Sequence, residues 1–333
     1  MKRLNCWTAA AVATAALAGC STAQPPAASQ AVVDQHVANA TRLAGNDLQY
    51  LMPVCRPQPA ERAAQGADAD AGLQRLIDQP APAPGQAFDN LYFVGSAWVS
   101  AWVLKTSDGL ILIDALNNSK EAQVLIEGGM RKLGLDPAQI KYIVVTHGHG
   151  DHYGGAQMLA DKYKARVIAS AIDWDMMDSK LEFDSKVWDA PPKRDMAVAD
   201  GRSLTLGDTT ITFFVTPGHT LGTLSPVFDV RDKGLPHKAM IWGGTSFNFG
   251  RDLGRLDSYI AQTQRMQAKA RELSVDVPLS NHPNYDGTVA KLKARAANPA
   301  GPNPFLTGPD AVSRTLQVMG ECARAQKTRF LIP

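Results

Sequence analysis

The stretch IKYIVVTHGHGDH constrains this chain more than any other feature. An apolar run of the kind that forms a buried strand ends at Thr146, and His147, His149, Asp151 and His152 follow at once, spaced by Gly148 and Gly150. Four ligand-type side chains so close together are a poor way to build a core and a good way to surround metal, with the glycines letting the backbone turn sharply. Alternate residues of an extended loop point to different sides. His147 and His149 therefore reach one ion only if the loop curls, while Asp151 and His152, at the start of a helix, face another. Imidazole and carboxylate donors suit zinc, although ligand type alone also admits iron or manganese.

Two more histidines share this setting, each in a turn after an apolar strand: His219 in VTPGHT and His282 in LSNHPN. Pro217, Gly218 and Pro283 mark turns at strand ends, where functional side chains gather in layered proteins. His36, in the N-terminal part, and His237, in RDKGLPHK, read as solvent-facing.

Along the chain, residues 1 to 19 carry Lys2 and Arg3, then a short apolar run, then small residues before Cys20, which reads as a secretory signal. Leu17 to Cys20 also resemble a lipobox, in which Cys20 would carry lipid; cleavage after Ala23 is the alternative. Residues 20–31 read as a flexible tether and 32–85 as an N-terminal extension laid over a core, with a helix over 33–51. Strand-like runs begin near residue 88, with SDG at 107–109 as a hairpin signal. Helices are expected at 119–133, 151–163, 171–178 and 256–273, among two series of strands. The catalytic domain is placed at 86–296 and a C-terminal extension with a helix at 297–333. Two sheets face to face with helices outside would satisfy that order.

Loss of the signal cancels the formal net charge of +2, so a basic nucleic-acid surface is not indicated. Of four cysteines, Cys55 and Cys322 remain in the folded part. In an oxidising exported compartment they favour a disulfide, though two cysteines can also stay reduced and apart.

The H-x-H-x-D-H motif, the TPGHT histidine and the last histidine before the C-terminal helices together resemble the metallo-β-lactamase superfamily over about residues 88 to 295. The resemblance implies a four-layer αββα sandwich of the α/β (α+β) class, with two Zn2+ per subunit at one edge between the sheets. It assigns His147, His149 and His219 to the first zinc, and Asp151, His152 and His282 to the second. Asp114, closing LILID, matches an aspartate that orients a ligand histidine, or else caps a turn.

Most superfamily hydrolases, lactonases and glyoxalase-like thioesterases among them, place a metal-bridging aspartate in a G-D-x-x-F pattern. The corresponding IWGGTSFNFG has none, and Thr245 is read at the bridge position. Five histidines and one aspartate look like the third subclass (B3-type) of class B metallo-β-lactamases; the first would need a cysteine and the second an asparagine. That resemblance implies an exported enzyme opening β-lactam rings with hydroxide supplied by the zinc pair. Asp151 would orient the hydroxide, the first ion polarise the carbonyl and the second stabilise the leaving nitrogen. Thr245, Ser246 and Asn248 are candidate donors to a substrate carboxylate. Trp98 and Trp102 read as pocket wall or core, with core the stronger reading.

The expected partner is a small molecule, with no nucleic acid, and a membrane only through lipid at Cys20; the expected location is the periplasm, with outer-membrane anchoring if Cys20 is acylated. The alternatives are a lactonase or other ester or amide hydrolase of the superfamily, and a non-catalytic envelope lipoprotein with a structural zinc. A structural site closes with four ligands, which argues against the latter.

Overall fold

The computed structural model describes residues 27–62 and 66–333; the expected signal segment, Cys20 and most of the tether lie outside them. Helix α1 (Gln30–Ala44) starts where Ser29 accepts a hydrogen bond from the Val32 amide and stops at Gly45, which takes a positive φ. A 3-10 segment (Gln49–Cys55) follows, then α2 (Ala67–Ile77), with Asp68 and Asp70 in its first turn. The expected helix over 33–51 is thus shorter and begins earlier, and α2 lies in a stretch expected only as extension.

Strands β1 (Gly85–Phe88), β2 (Leu91–Phe93), β3 (Trp102–Thr106) and β4 (Gly109–Ile113) form an antiparallel meander. The SDG turn joins β3 to β4, with Gly109 at φ 140°. Only Trp102 onward of WVSAWVLKT is strand. A helical run over 119–132 comprises α3 (Ser119–Glu121), a π segment (Ala122–Glu127) and α4 (Gly128–Lys132), capped by Asn118. Strand β5 (Ile140–Val144) then lies parallel to β4. Helices α5 (Gly150–Tyr153) and α6 (Ala156–Tyr163), β6 (Arg166–Ser170), α7 (Ala171–Ser179) and β7 (Met196–Val198) complete this half.

The single helix expected over 151–163 breaks at Gly154 and Gly155. There the chain is pressed against the 115–118 segment, donating N–H bonds to Leu116 O and Ala115 O. A Cβ on Gly154 would lie 1.9 Å from the Asn117 carbonyl oxygen. The break is a packing demand that local helical periodicity does not reveal.

The second half holds β8 (Arg202–Leu206), β9 (Thr209–Val215), β10 (Leu224–Asp232), β11 (Leu235–Trp242), α8 (Leu253–Glu272), β12 (Val277–Ser280), α9 (Thr288–Ala297) and α10 (Gly308–Leu331). The strands form a seven-stranded sheet in order β1 to β7 and a five-stranded sheet in order β12-β11-β10-β9-β8.

The two sheets face each other across Phe93, Trp102, Ile113, Phe213, Phe228 and Ile241. On its outer face the larger sheet buries Ile126, Leu159 and Trp174 of the flanking helical segments. The smaller sheet is covered by α8, α10 and α1 through Leu256, Met266, Leu316 and Ala40. Alternate residues of each strand thus feed different apolar layers, and the result is the αββα sandwich. A disulfide between Cys55 and Cys322 ties the 3-10 segment to α10. No helix among the described residues is long and apolar enough to cross a membrane.

Candidate metal centre

The C-terminal ends of β4, β5, β9, β11 and β12 meet at one edge of the sandwich, and each delivers one part of the centre. The β5 end supplies His147 and His149, then Asp151 and His152 on α5; the β9 turn supplies His219, and the turn after β12 supplies His282. Donor atoms of His147, His149 and His219 lie within 4.8 Å of one another, as do those of His147, Asp151 and His152. His282 Nε2 is 3.3 Å from His152 Nε2 and 3.8 Å from Asp151 Oδ2. All six side chains are buried.

Each histidine is aimed by a hydrogen bond on its outer nitrogen. His147 Nδ1 donates to Gly243 O at 2.7 Å, His219 Nδ1 to Ser246 O at 2.8 Å and His282 Nδ1 to Trp98 O at 2.7 Å. His152 Nδ1 donates to Asp114 Oδ2 at 2.8 Å, so Asp114 orients the ring of this candidate ligand. The same carboxylate accepts from the amide and hydroxyl of Thr146, at 2.8 Å each. His149 differs: its Nε2 is 3.2 Å from Glu182 Oε2, which leaves Nδ1 to face the cluster.

Burial, with the neighbouring imidazoles adding to it, pushes His147 well below its ordinary pKa. Burial does the same to His219, and brings His282 down to about 4 with repulsion from His152. Neutral imidazole is the form that coordinates metal. His152 goes the other way: against the effect of burial, Asp151 and Asp114 raise it to about 10. Asp151 is held well below the carboxylate range by His152, again against burial. The two carboxylates thus favour positive charge at this point. Neutral nitrogens around one point and carboxylate beside another fit divalent metal.

The glycines of HGHGDH serve close approach rather than a special backbone conformation, since neither has a positive φ. A Cβ on Gly150 would sit 2.3 Å from the Trp188 ring, and one on Gly148 would sit 2.5 Å from Met176 Cε. The loop is also clamped by a residue the sequence did not flag. Asp173 of α7, fully buried, accepts from the Gly148 amide, the Thr220 hydroxyl and the Gly222 amide, at 2.8, 2.8 and 3.0 Å. One carboxylate thereby joins the β5 and β9 ligand loops, and no local motif announces it.

A cavity of about 590 Å³ opens over the cluster, a size suited to a small molecule. Trp98, Phe183 and Trp188 line it together with Leu73 and Leu76 of α2, so the N-terminal extension contributes to its wall. Trp98, packed on one side against the outer core layer, thus also lines the cavity, while Trp102 lies wholly in the core. Ser246 and Asn248 line it too, and the buried Asn248 Oδ1 has no partner among the described residues. Thr245 does not: its hydroxyl turns to Ser280 Oγ at 3.4 Å. The residue packed on the ligand cluster at this turn is Gly244, where a Cβ would lie 2.5 Å from His219 Cβ. No side chain, bridging aspartate or threonine, has room there without a shift. His36 and His237 are half-buried rather than fully solvent-facing, each hydrogen-bonded to a carboxylate, Glu321 and Asp276.

A model of the metallo-β-lactamase superfamily matches residues 99–235. The chain is 35% identical to a hydroxyacylglutathione hydrolase of Rhodopseudomonas palustris (strain BisA53) over 108 residues, 32% of this chain. It spans about a third of the length of the curated relatives it matches. Among solved structures it resembles BJP-1, a subclass B3 metallo-β-lactamase of Bradyrhizobium japonicum, with 31% identity and a TM-score of 0.59 over 71% of this chain and 90% of that one. The FEZ-1 metallo-β-lactamase of Legionella gormanii shares the fold, with 22% identity and a TM-score of 0.62 over 71% and 93% of the chains. With two facing sheets, a histidine-rich centre at their edge and a B3 enzyme matched over nine-tenths of its length, the chain belongs to the metallo-β-lactamase superfamily.

Proposed function

We propose that this chain is an exported, zinc-dependent hydrolase that opens the β-lactam ring, with two ions held by His147, His149 and His219 and by Asp151, His152 and His282. The observation that carries the reading is the six-ligand set beside Gly244, with no bridging carboxylate at the β11 turn. Likeness to a B3 enzyme over most of its length supports it.

When bound, a zinc pair supplies Lewis acidity that makes water nucleophilic at neutral pH and polarises a carbonyl. The protein's own part is orientation. Asp151, kept ionised by its histidine neighbours, presents a carboxylate to align the attacking water. Ser246 and Asn248 offer a hydroxyl and an amide to a substrate carboxylate. Trp98, Phe183 and Trp188 exclude bulk water from the reacting carbonyl.

The 35% identity to a hydroxyacylglutathione hydrolase favours a second reading, hydrolysis of a thioester or related ester. The described walls hold no lysine or arginine, so a substrate carboxylate of either class would rest on the charge of the metal ions and on Ser246 and Asn248. A lactone stays open to the same centre, since fold does not fix substrate. Purified protein assayed on nitrocefin, a carbapenem, a homoserine-lactone panel and a hydroxyacylglutathione, with and without chelator, decides. Chelator-sensitive lactam turnover is expected; turnover only of an ester or thioester overturns the lactam reading.

Export rests on residues 1–19, and lipid attachment at Cys20 on the LAGC sequence. Fractionation of cells making the full chain tests it, with the protein expected in the periplasm or outer membrane and a cytoplasmic product overturning it.

A further inference from the structure

Among the outer partners of the five histidines, three are backbone carbonyls and one is Asp114, fixed by Thr146. The fifth, Glu182, comes from the long segment between α7 and β7, remote in sequence from every ligand. What holds it is Arg255 of α8. The guanidinium donates to both Glu182 oxygens and, with its remaining N–H groups, to the carbonyls of Gly218 and His219. It also stacks over Phe249, 4.2 Å from the ring centre. Arg62 of the N-terminal extension adds a contact to Glu182 at 3.3 Å.

Arg255 is 5% exposed and the Glu182 side chain 13%. A buried pair of this kind adds little net stability, because desolvation offsets much of the attraction. It does fix direction. The fork geometry of the guanidinium locks the carboxylate opposite His149, while the same group grips the turn carrying His219.

We propose that Glu182, clamped by Arg255, is the positioning residue of the first ligand triad. It holds His149 in the tautomer with Nε2–H outward and Nδ1 toward His147 and His219, and it makes that ring a stronger donor to a metal ion. Each triad then contains one carboxylate-backed histidine, His149 with Glu182 and His152 with Asp114. The proposal rests on metal binding alone and is independent of which substrate the cavity takes.

The test is zinc affinity of the full chain, measured by competition with a chromophoric chelator, in Glu182→Gln and Glu182→Asp. Loss of a ligand's outer partner weakens metal affinity about ten- to a hundredfold. Glu182→Gln is expected to weaken one of the two ions by that factor and spare the other, with Glu182→Asp recovering part of the loss. Unchanged affinities, or equal weakening of both ions, overturn the proposal. Nitrogen-15 spectra of the zinc-loaded parent protein give a second readout that needs no variant. A slowly exchanging Nε2–H on His149 is expected, and an Nδ1–H there overturns the assignment.

Discussion

Asp114 receives three hydrogen bonds on two oxygens: His152 Nδ1 and the Thr146 hydroxyl on Oδ2, and the Thr146 amide on Oδ1. The residue that aims a ligand ring thus also fixes the strand end from which the ligand loop departs. Its φ of 63°, uncommon outside glycine, turns the chain so that the carboxylate points across to β5.

Asp114→Asn replaces one accepting oxygen by a donor, so three incoming donors compete for a single acceptor. Binding of the ion proposed at Asp151, His152 and His282 should weaken about ten- to a hundredfold, with the other proposed ion little affected. Two-step calorimetric titration of the metal-free protein checks this; equal affinities in parent and variant contradict it.

Gly154→Ala places a methyl group 1.9 Å from the Asn117 carbonyl, which is backbone and cannot swing away. A cost of about 1–3 kcal/mol or more is expected, read as a fall in the denaturation midpoint. Gly72→Ala on α2 is the control: its new Cβ meets only the far end of Arg75 at 3.7 Å, and a glycine inside a helix is itself unfavourable, so stability should hold or rise slightly.

Removing the Cys55–Cys322 bridge by Cys55→Ser with Cys322→Ser frees the 3-10 segment from α10 in the unfolded chain. A loss of about 2–5 kcal/mol is expected in denaturant unfolding. The bridge lies behind the smaller sheet, so zinc content of the folded fraction should not change.

Glu127 supplies a pH dependence. Burial works to raise its carboxyl, but the Lys162 ammonium at 2.8 Å, Tyr163 and Arg131 lower it below its ordinary 4.5. A depressed folded-state value means stabilisation that is complete above 4.5 and lost as pH falls through the lowered value. The thermal midpoint of the parent should therefore decline below pH 4.5 more steeply than that of Glu127→Gln. Parallel curves would contradict it.

Leu73 of α2 forms part of the cavity wall. Leu73→Ala removes apolar contact with bound substrate but touches no metal ligand. A KM increase of about fivefold, near 1 kcal/mol, is expected at unchanged zinc content and nearly unchanged kcat. A fall in zinc content would refute the assignment of α2 to the substrate side.

The histidine-rich cluster was legible in sequence because metal chemistry requires particular side chains, and HGHGDH concentrates four of them at the end of an apolar strand. The sandwich was legible because strand and helix periodicities are local. The roles of Gly148 and Gly150 were not, since their need for a missing side chain arises from Met176 and Trp188 arriving from elsewhere. Thr245 was misplaced by one position for the same reason: which residue of a turn faces inward depends on the turn's packing against His219.

Residue types and local spacing, then, determined the candidate metal cluster, the two strand series and the paired cysteines. Tertiary structure alone decided that Asp173 joins two ligand loops, that Glu182 and Arg255 back His149, and that α2 walls the cavity. Those relationships link residues far apart in the chain through single hydrogen bonds or a shared surface, and such contacts impose no periodicity and no motif on the sequence.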